Sequence, residues 1–178
     1  MNAQGGAVDG IRAGEAAFDF EATFRAQYER IARVIARVVR DPARAEELAV
    51  EVFLKLWRNP QAQGDNVEGW LYRTATRNGL DELRRRTRRT RYERLLGFFG
   101  RVPTPEELSA TAQDQDKVRL VLATMDRRKA ELLLLRSDGL RYEELASALD
   151  LNAASIGTLL RRAQEAFRKE YVKRYGKE

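Results

Sequence analysis

Residues Gly69–Arg94 read GWLYRTATRNGLDELRRRTRRTRYER. At 3.6 residues per turn this stretch makes a sharply divided helix. Leu71, Tyr72, Ala75, Gly79 and Leu83 share one arc, and Arg73, Arg77, Arg84, Arg88 and Arg91 share another, roughly 60° wide. Trp70 falls with the arginines. Between Gly69 and Arg101 ten Arg stand against Asp81, Glu82 and Glu93, a net of +7 in a chain whose total is +6. The basicity is therefore local. Like charges four residues apart destabilise an isolated helix, and interleaved Glu would remove the problem. A solvated face is the plain explanation for such a stripe. A polyanion with stackable bases is the more specific one, because arginine grips phosphate and Trp offers a stacking platform.

Upstream, Phe20, Phe24, Tyr28, Ile31, Val34, Ile35 and Val38 recur at spacings of three and four, which predicts an amphipathic helix ending near Arg40. Asp41-Pro42 restarts the chain as N-cap and first helical residue. Ala45, Leu48, Ala49, Val52, Phe53, Leu56 and Trp57 mark the apolar face of the second helix, and Glu46, Glu47 and Glu51 give it an acidic outer cast. Asn59 to Val67 (NPQAQGDNV) is a polar loop rich in turn residues. These helices and the arginine helix form a first domain over residues 18–94, after a flexible N-terminus over 1–17.

Downstream, residues 95–116 read as a linker, with a capping box at Thr104 and Glu107. A second helical domain spans 117–178. Val118, Leu122 and Met125 open it. The run Leu132 to Leu135 suggests a helix buried on most sides, although periodicity alone leaves a short strand open. A short helix carrying Leu145, Ala146 and Leu149 then meets the turn Asp150-Leu151-Asn152. Asn152 can cap the next helix, whose inner face is Ile156, Leu159, Leu160, Ala163 and Phe167. Small Ala146 permits a close helix crossing. This is a helix-turn-helix pattern, whose second helix enters the major groove. Ser155, Thr158, Arg161, Arg162 and Arg168 lie on its outer face, where Thr and Arg can read base edges or hold phosphates.

The expected fold class is all-α: two small helical domains joined by a flexible linker. The 178 residues include no Cys and no His, which removes thiolate metal sites and the commonest general base and metal ligand. No cofactor, metal or enzymatic centre is expected. No run of about 18 apolar residues is present and no apolar signal core opens the chain, so a cytoplasmic protein is expected.

Taken in order, these stretches resemble the extracytoplasmic-function (ECF) class of bacterial RNA polymerase sigma factors, over about Phe18 to Tyr171. Asp41, Ala45 to Leu48 and Glu51 to Trp57 are similar to the family's polymerase-binding helix. Gly69 to Arg73, then Asn78, Asp81, Leu83, Arg84 and Arg85, are similar to its promoter-melting helix. Gly139 to Arg162 resembles its promoter-binding helix-turn-helix. The chain departs from the family pattern at Glu47, Val50, Gly157, Leu159 and Gln164. The resemblance implies that Asp41, Glu46, Glu47, Leu48, Glu51, Val52, Phe53 and Leu56 bind core RNA polymerase. It implies that Asn66, Trp70, Arg73, Arg77, Asn78, Asp81, Arg84, Arg85 and Arg88 hold the opened minus-ten strand, the Asn59–Val67 loop taking a flipped base. Arg141, Ser155, Thr158, Arg161, Arg162 and Arg168 would bind the minus-thirty-five element as duplex. The implied partners are core RNA polymerase, promoter DNA and an anti-sigma factor. Opening DNA costs about 1.4 kcal/mol per base-pair step, while stacking returns about 1–3 kcal/mol per base. A small domain cannot hold a bubble alone, so the implied role is a specificity subunit. A stand-alone helix-turn-helix regulator is the alternative, and an RNA-binding protein a weaker one; the acidic-faced helix Pro42–Trp57 discriminates, because a DNA-only protein has little use for it.

Overall fold

The computed structural model describes residues 18–96 and 110–176, all helix, turn and short connection with no strand among them. The lead-in over 1–17, most of the linker and the Thr104–Glu107 capping box lie outside the described residues. Helix α1 (Phe20–Val39) starts where the Asp19 carboxylate accepts the Ala22 amide at 2.9 Å. It stops at Arg40, which turns left-handed at φ 53°. Asp41 caps α2 (Pro42–Trp57) by accepting the Arg44 amide at 3.1 Å, with Pro42 in the first turn where its missing N–H costs nothing. The far end of α2 is closed by the loop after it. The Gln63 side-chain amide donates to the carbonyls of Leu56 at 2.9 Å and Trp57 at 3.3 Å, beside a single 3₁₀ turn over Pro60–Ala62.

The arginine helix α3 spans Val67–Leu95. Helix α4 (Ala110–Thr124) begins within the stretch read as linker. The leucine run is helical, inside α5 (Arg127–Ser137), which Asp126 caps by accepting the Lys129 amide at 3.1 Å. Leu132 and Leu135 are buried while Leu133 and Leu134 are half-buried. A turn through Gly139, at φ 93°, leads to α6 (Tyr142–Leu149). That positive φ is the kind only glycine takes without strain. The link to α7 (Ile156–Tyr175) runs through Asp150, left-handed at φ 55°, and a 3₁₀ turn over Ala153–Ser155 that Asn152 caps on the Ala154 amide at 2.9 Å. The pair α6–α7 is the expected helix-turn-helix, with Leu145, Ala146, Ile156, Leu160 and Ala163 buried between and beneath them.

Helices α1, α2 and α3 enclose Ile31, Ile35, Val38, Val52, Phe53, Leu56 and Leu71. An aromatic group seals one end, with Phe24 and Phe53 edge-on at 4.8 Å and Phe20 and Trp57 edge-on at 5.0 Å. This core runs without a break into Leu132, Leu135, Leu145 and Ile156, so the second domain is packed on the first. Leu80, outside the predicted apolar arc of α3, is fully buried in a separate cluster with Leu122, Met125 and Ala130. Helix α3 therefore buries two faces, one in each domain. No helix among the described residues is long and apolar enough to cross a membrane.

Candidate nucleic-acid interface

The outer face of α2 is mixed acidic and apolar. Glu46, Glu47 and Glu51 are exposed, as expected. Leu48, Val52, Phe53 and Leu56, expected as polymerase contacts, lie instead inside the core. They hold α2 on the domain and have no surface to offer a partner. The apolar residues that do face outward are Val50, Leu54 and Trp57, the last 62% exposed. Their spacing of four and three places them on an arc roughly 60° wide, opposite the buried face. The signal was in the sequence, as a second apolar stripe on a helix already supplied with one. Trp57 is steadied by its edge contact to Phe20.

Asp41 sits at the base of this helix in a charge network. Arg86 Nη2 donates to its Oδ2 at 2.8 Å, and this bond with the Arg44 amide holds the carboxyl below its ordinary value. Glu82, 4% exposed, lies next to it. Burial pushes the Glu82 pKa up, but hydrogen bonds from Arg85 at 2.8 Å and Arg86 at 2.8 Å outweigh it and leave the value lowered. Arg44 approaches the same carboxylate at 3.4 Å. Arg86 thus ties α3 to the start of α2, while Arg85, expected on DNA, pairs with Glu82 along its own helix and stays exposed.

The residues on and just before α3 that are expected to hold an opened strand are divided. Arg88 is exposed. Trp70 is half-buried and packs against the main core. Asn78 is 9% exposed, with its carbonyl oxygen taking Lys55 Nζ at 2.9 Å, so it faces α2 and cannot reach a base edge. Four others face the second domain. Arg77 Nε donates to Glu131 Oε1 at 3.0 Å and its Nη2 to Oε2 at 3.4 Å. Arg84 donates to the carbonyls of Ala123 at 3.1 Å and Met125 at 3.0 Å, at the open end of α4. Asp81 pairs with Arg127. Asn66 donates to the Ser147 carbonyl at 2.9 Å and accepts the Ser147 hydroxyl at 2.7 Å. Arg73 stays half-buried.

On the helix-turn-helix, Ser155, Thr158, Arg161, Arg162 and Arg168 are all exposed. Arg161 pairs along its own helix with Glu165 at 2.6 Å. Arg141 precedes α6, where its amide donates to Glu144 Oε2 at 2.6 Å.

Residues 23–89, covering most of α1, all of α2 and most of α3, match the sigma-70 region 2 family. Over 157 residues the chain is 29% identical to the ECF RNA polymerase sigma factor SigK of Mycolicibacterium vanbaalenii, covering 84% of this chain and 80% of that one. The chain is thus similar to the ECF sigma factors over most of its length. It is also 28% identical over 160 residues to the ECF RNA polymerase sigma factor SigE of Mycolicibacterium smegmatis, covering 86% of this chain and 62% of that protein. Among solved structures, the sigma factor RpoE of Bartonella quintana, crystallised in complex with the anti-sigma factor NepR, has a similar fold. That likeness has a TM-score of 0.50 at 17% identity, covering 85% of this chain and 96% of that one. The family match falls on the helices that carry the acidic–apolar stripe and the arginine face.

Proposed function

We propose that this chain is a sigma factor that joins core RNA polymerase in the cytoplasm, brings it to promoters and helps open them, and that it is not itself an enzyme. The observation that carries this reading is the placement of two chemically different surfaces on one small domain. The outward stripe of α2, with Val50, Leu54 and Trp57 among Glu46, Glu47 and Glu51, suits a protein partner. The arginine face of α3 suits an opened DNA strand. A helix-turn-helix that only regulates from duplex DNA has no need of the first surface.

In this reading residues 18–94 bind polymerase and the minus-ten strand, residues 117–178 bind the minus-thirty-five duplex, and 95–116 connects them. Thr158, Arg161 and Arg162 read or grip the duplex. An anti-sigma factor is a further partner, as it is for the Bartonella protein. The test is reconstitution with purified core polymerase on a promoter library. A stable complex and transcripts starting at defined positions are expected. A chain that neither binds core nor directs initiation overturns the reading.

A further inference from the structure

Five arginines gather where the ends of α1, α3 and α7 meet α4, and none of them belongs to the sets expected on polymerase or DNA. Arg40, Arg86, Arg91, Arg119 and Arg174 line a cleft of about 810 Å³, with Asp116 the sole carboxylate among its described lining residues. Two of the five are engaged elsewhere. Arg86 is held by Asp41 and Glu82, and Arg174 lies 3.7 Å from Glu170 on its own helix. Arg40 and Arg119 share one oxygen of Asp116, at 3.1 Å and 2.9 Å. Three guanidiniums, Arg40, Arg91 and Arg119, thus stand against one carboxylate. Arg119 is the most costly of them. Its side chain is 14% exposed, and its Nε is buried without a hydrogen-bond partner. Burial and the positive charge of Arg40 both push its pKa down. A guanidinium with an unmet N–H, taken out of water beside a second one, is unfavourable until an anion joins it.

The same cleft has an aliphatic wall, with Val39 and Leu83 buried and Leu120 half-buried. Such a wall has nothing to offer inorganic phosphate. It suits a ligand with phosphates at one end and a flat, apolar body at the other. We propose that this cleft binds a nucleoside polyphosphate, its phosphates on Arg40, Arg91 and Arg119 and its base against Val39, Leu83 and Leu120. The arginine fork matches phosphate oxygens in pairs, and the Arg119 Nε gains the acceptor it lacks. Because the ligand touches α1, α3 and α4 together, its binding stabilises the folded chain.

The test titrates the full chain with ATP by calorimetry and melts it with and without the nucleotide. One ATP should bind per chain, and at about 100 times its Kd the melting temperature should rise by about 5–10 °C. Adenosine and sodium tripolyphosphate, which each carry half of the ligand, should bind more weakly by about tenfold or more. Arg91→Ala and Arg119→Met should each weaken ATP binding by about tenfold or more, the loss of a charged hydrogen bond. Arg25→Ala, which removes an exposed arginine outside the cleft, should bind ATP as the parent does. Without ATP, Arg119→Met should melt no lower than the parent, since it sheds a desolvated charge. If Arg119→Met does not fold, Arg91→Ala decides. No binding of ATP by the parent, binding kept in the cleft variants, or tripolyphosphate binding as tight as ATP overturns the proposal. A lower melting temperature in Arg119→Met, the mark of a purely structural arginine, also counts against it. So does an equal loss of affinity for a mixed-sequence single-stranded oligodeoxynucleotide in the same variants, which would make the cleft part of a nucleic-acid path.

Discussion

Glu82 shows at the scale of one residue how charge can be structural inside a basic helix. A buried carboxylate alone would be costly, yet Arg85, Arg86 and Arg44 surround it. Because these arginines keep partial access to water, Glu82→Gln should cost about 1–3 kcal/mol, less than breaking a fully buried pair. The same carboxylate predicts the acid limb of stability. Its pKa is lowered from the ordinary 4.5, and that of Asp41 from 3.8. Groups with depressed values contribute stability above their unfolded values and lose it as pH falls through the folded ones. Melting temperature should therefore be level above about pH 5 and drop below about pH 4, with a shallower drop in Glu82→Gln. An unchanged acid profile in that variant would show that the network does not contribute as described.

At the scale of the element, α2 is apolar on more than one side, and its two stripes have different jobs. The buried stripe of Leu48, Val52, Phe53 and Leu56 sets the helix in place. Truncating Leu56 there would cost about 2–5 kcal/mol and blur any binding measurement with unfolding. The outer stripe is the clean place to probe docking. Leu54→Asp should weaken core polymerase binding at least tenfold while moving the melting temperature little, since exposed positions rarely change stability by more than about 0.5 kcal/mol. Affinity equal to the parent's in a pull-down with core polymerase would remove this stripe from the interface.

For the whole molecule, the packed arrangement changes which arginine is informative. Removing Arg77 strands Glu131 in the interior, so lost activity would mix binding with folding. Arg88 is exposed and free of that complication. With polymerase present, Arg88→Ala should lower transcription from a closed duplex promoter, and a pre-opened template should restore much of it. The slope of log affinity for single-stranded DNA against log salt should fall by about one charge. An unchanged slope together with full activity on closed templates would place Arg88 outside the strand path.

Much of this protein is decided locally and so could be read from the chain. Asp19, Asp41 and Asn152 start helical turns because a short side-chain oxygen can satisfy the first free amides. The periodic apolar faces of α1 and α7, the helix-turn-helix and the concentration of arginine on α3 need no partner to be seen. Contacts between distant residues are another matter. Sequence periodicity set Leu48, Val52, Phe53 and Leu56 on the inner face of α2, but only packing showed that no surface of theirs is left for the polymerase contact the resemblance implied. It could not show that Lys55 would claim Asn78, or that Leu80, lying among arginines, would be buried by another domain. Nor could it say that Arg77 and Arg84 would turn toward Glu131 and the end of α4, because only tertiary packing brings residues 54 and 39 positions away within hydrogen-bond reach.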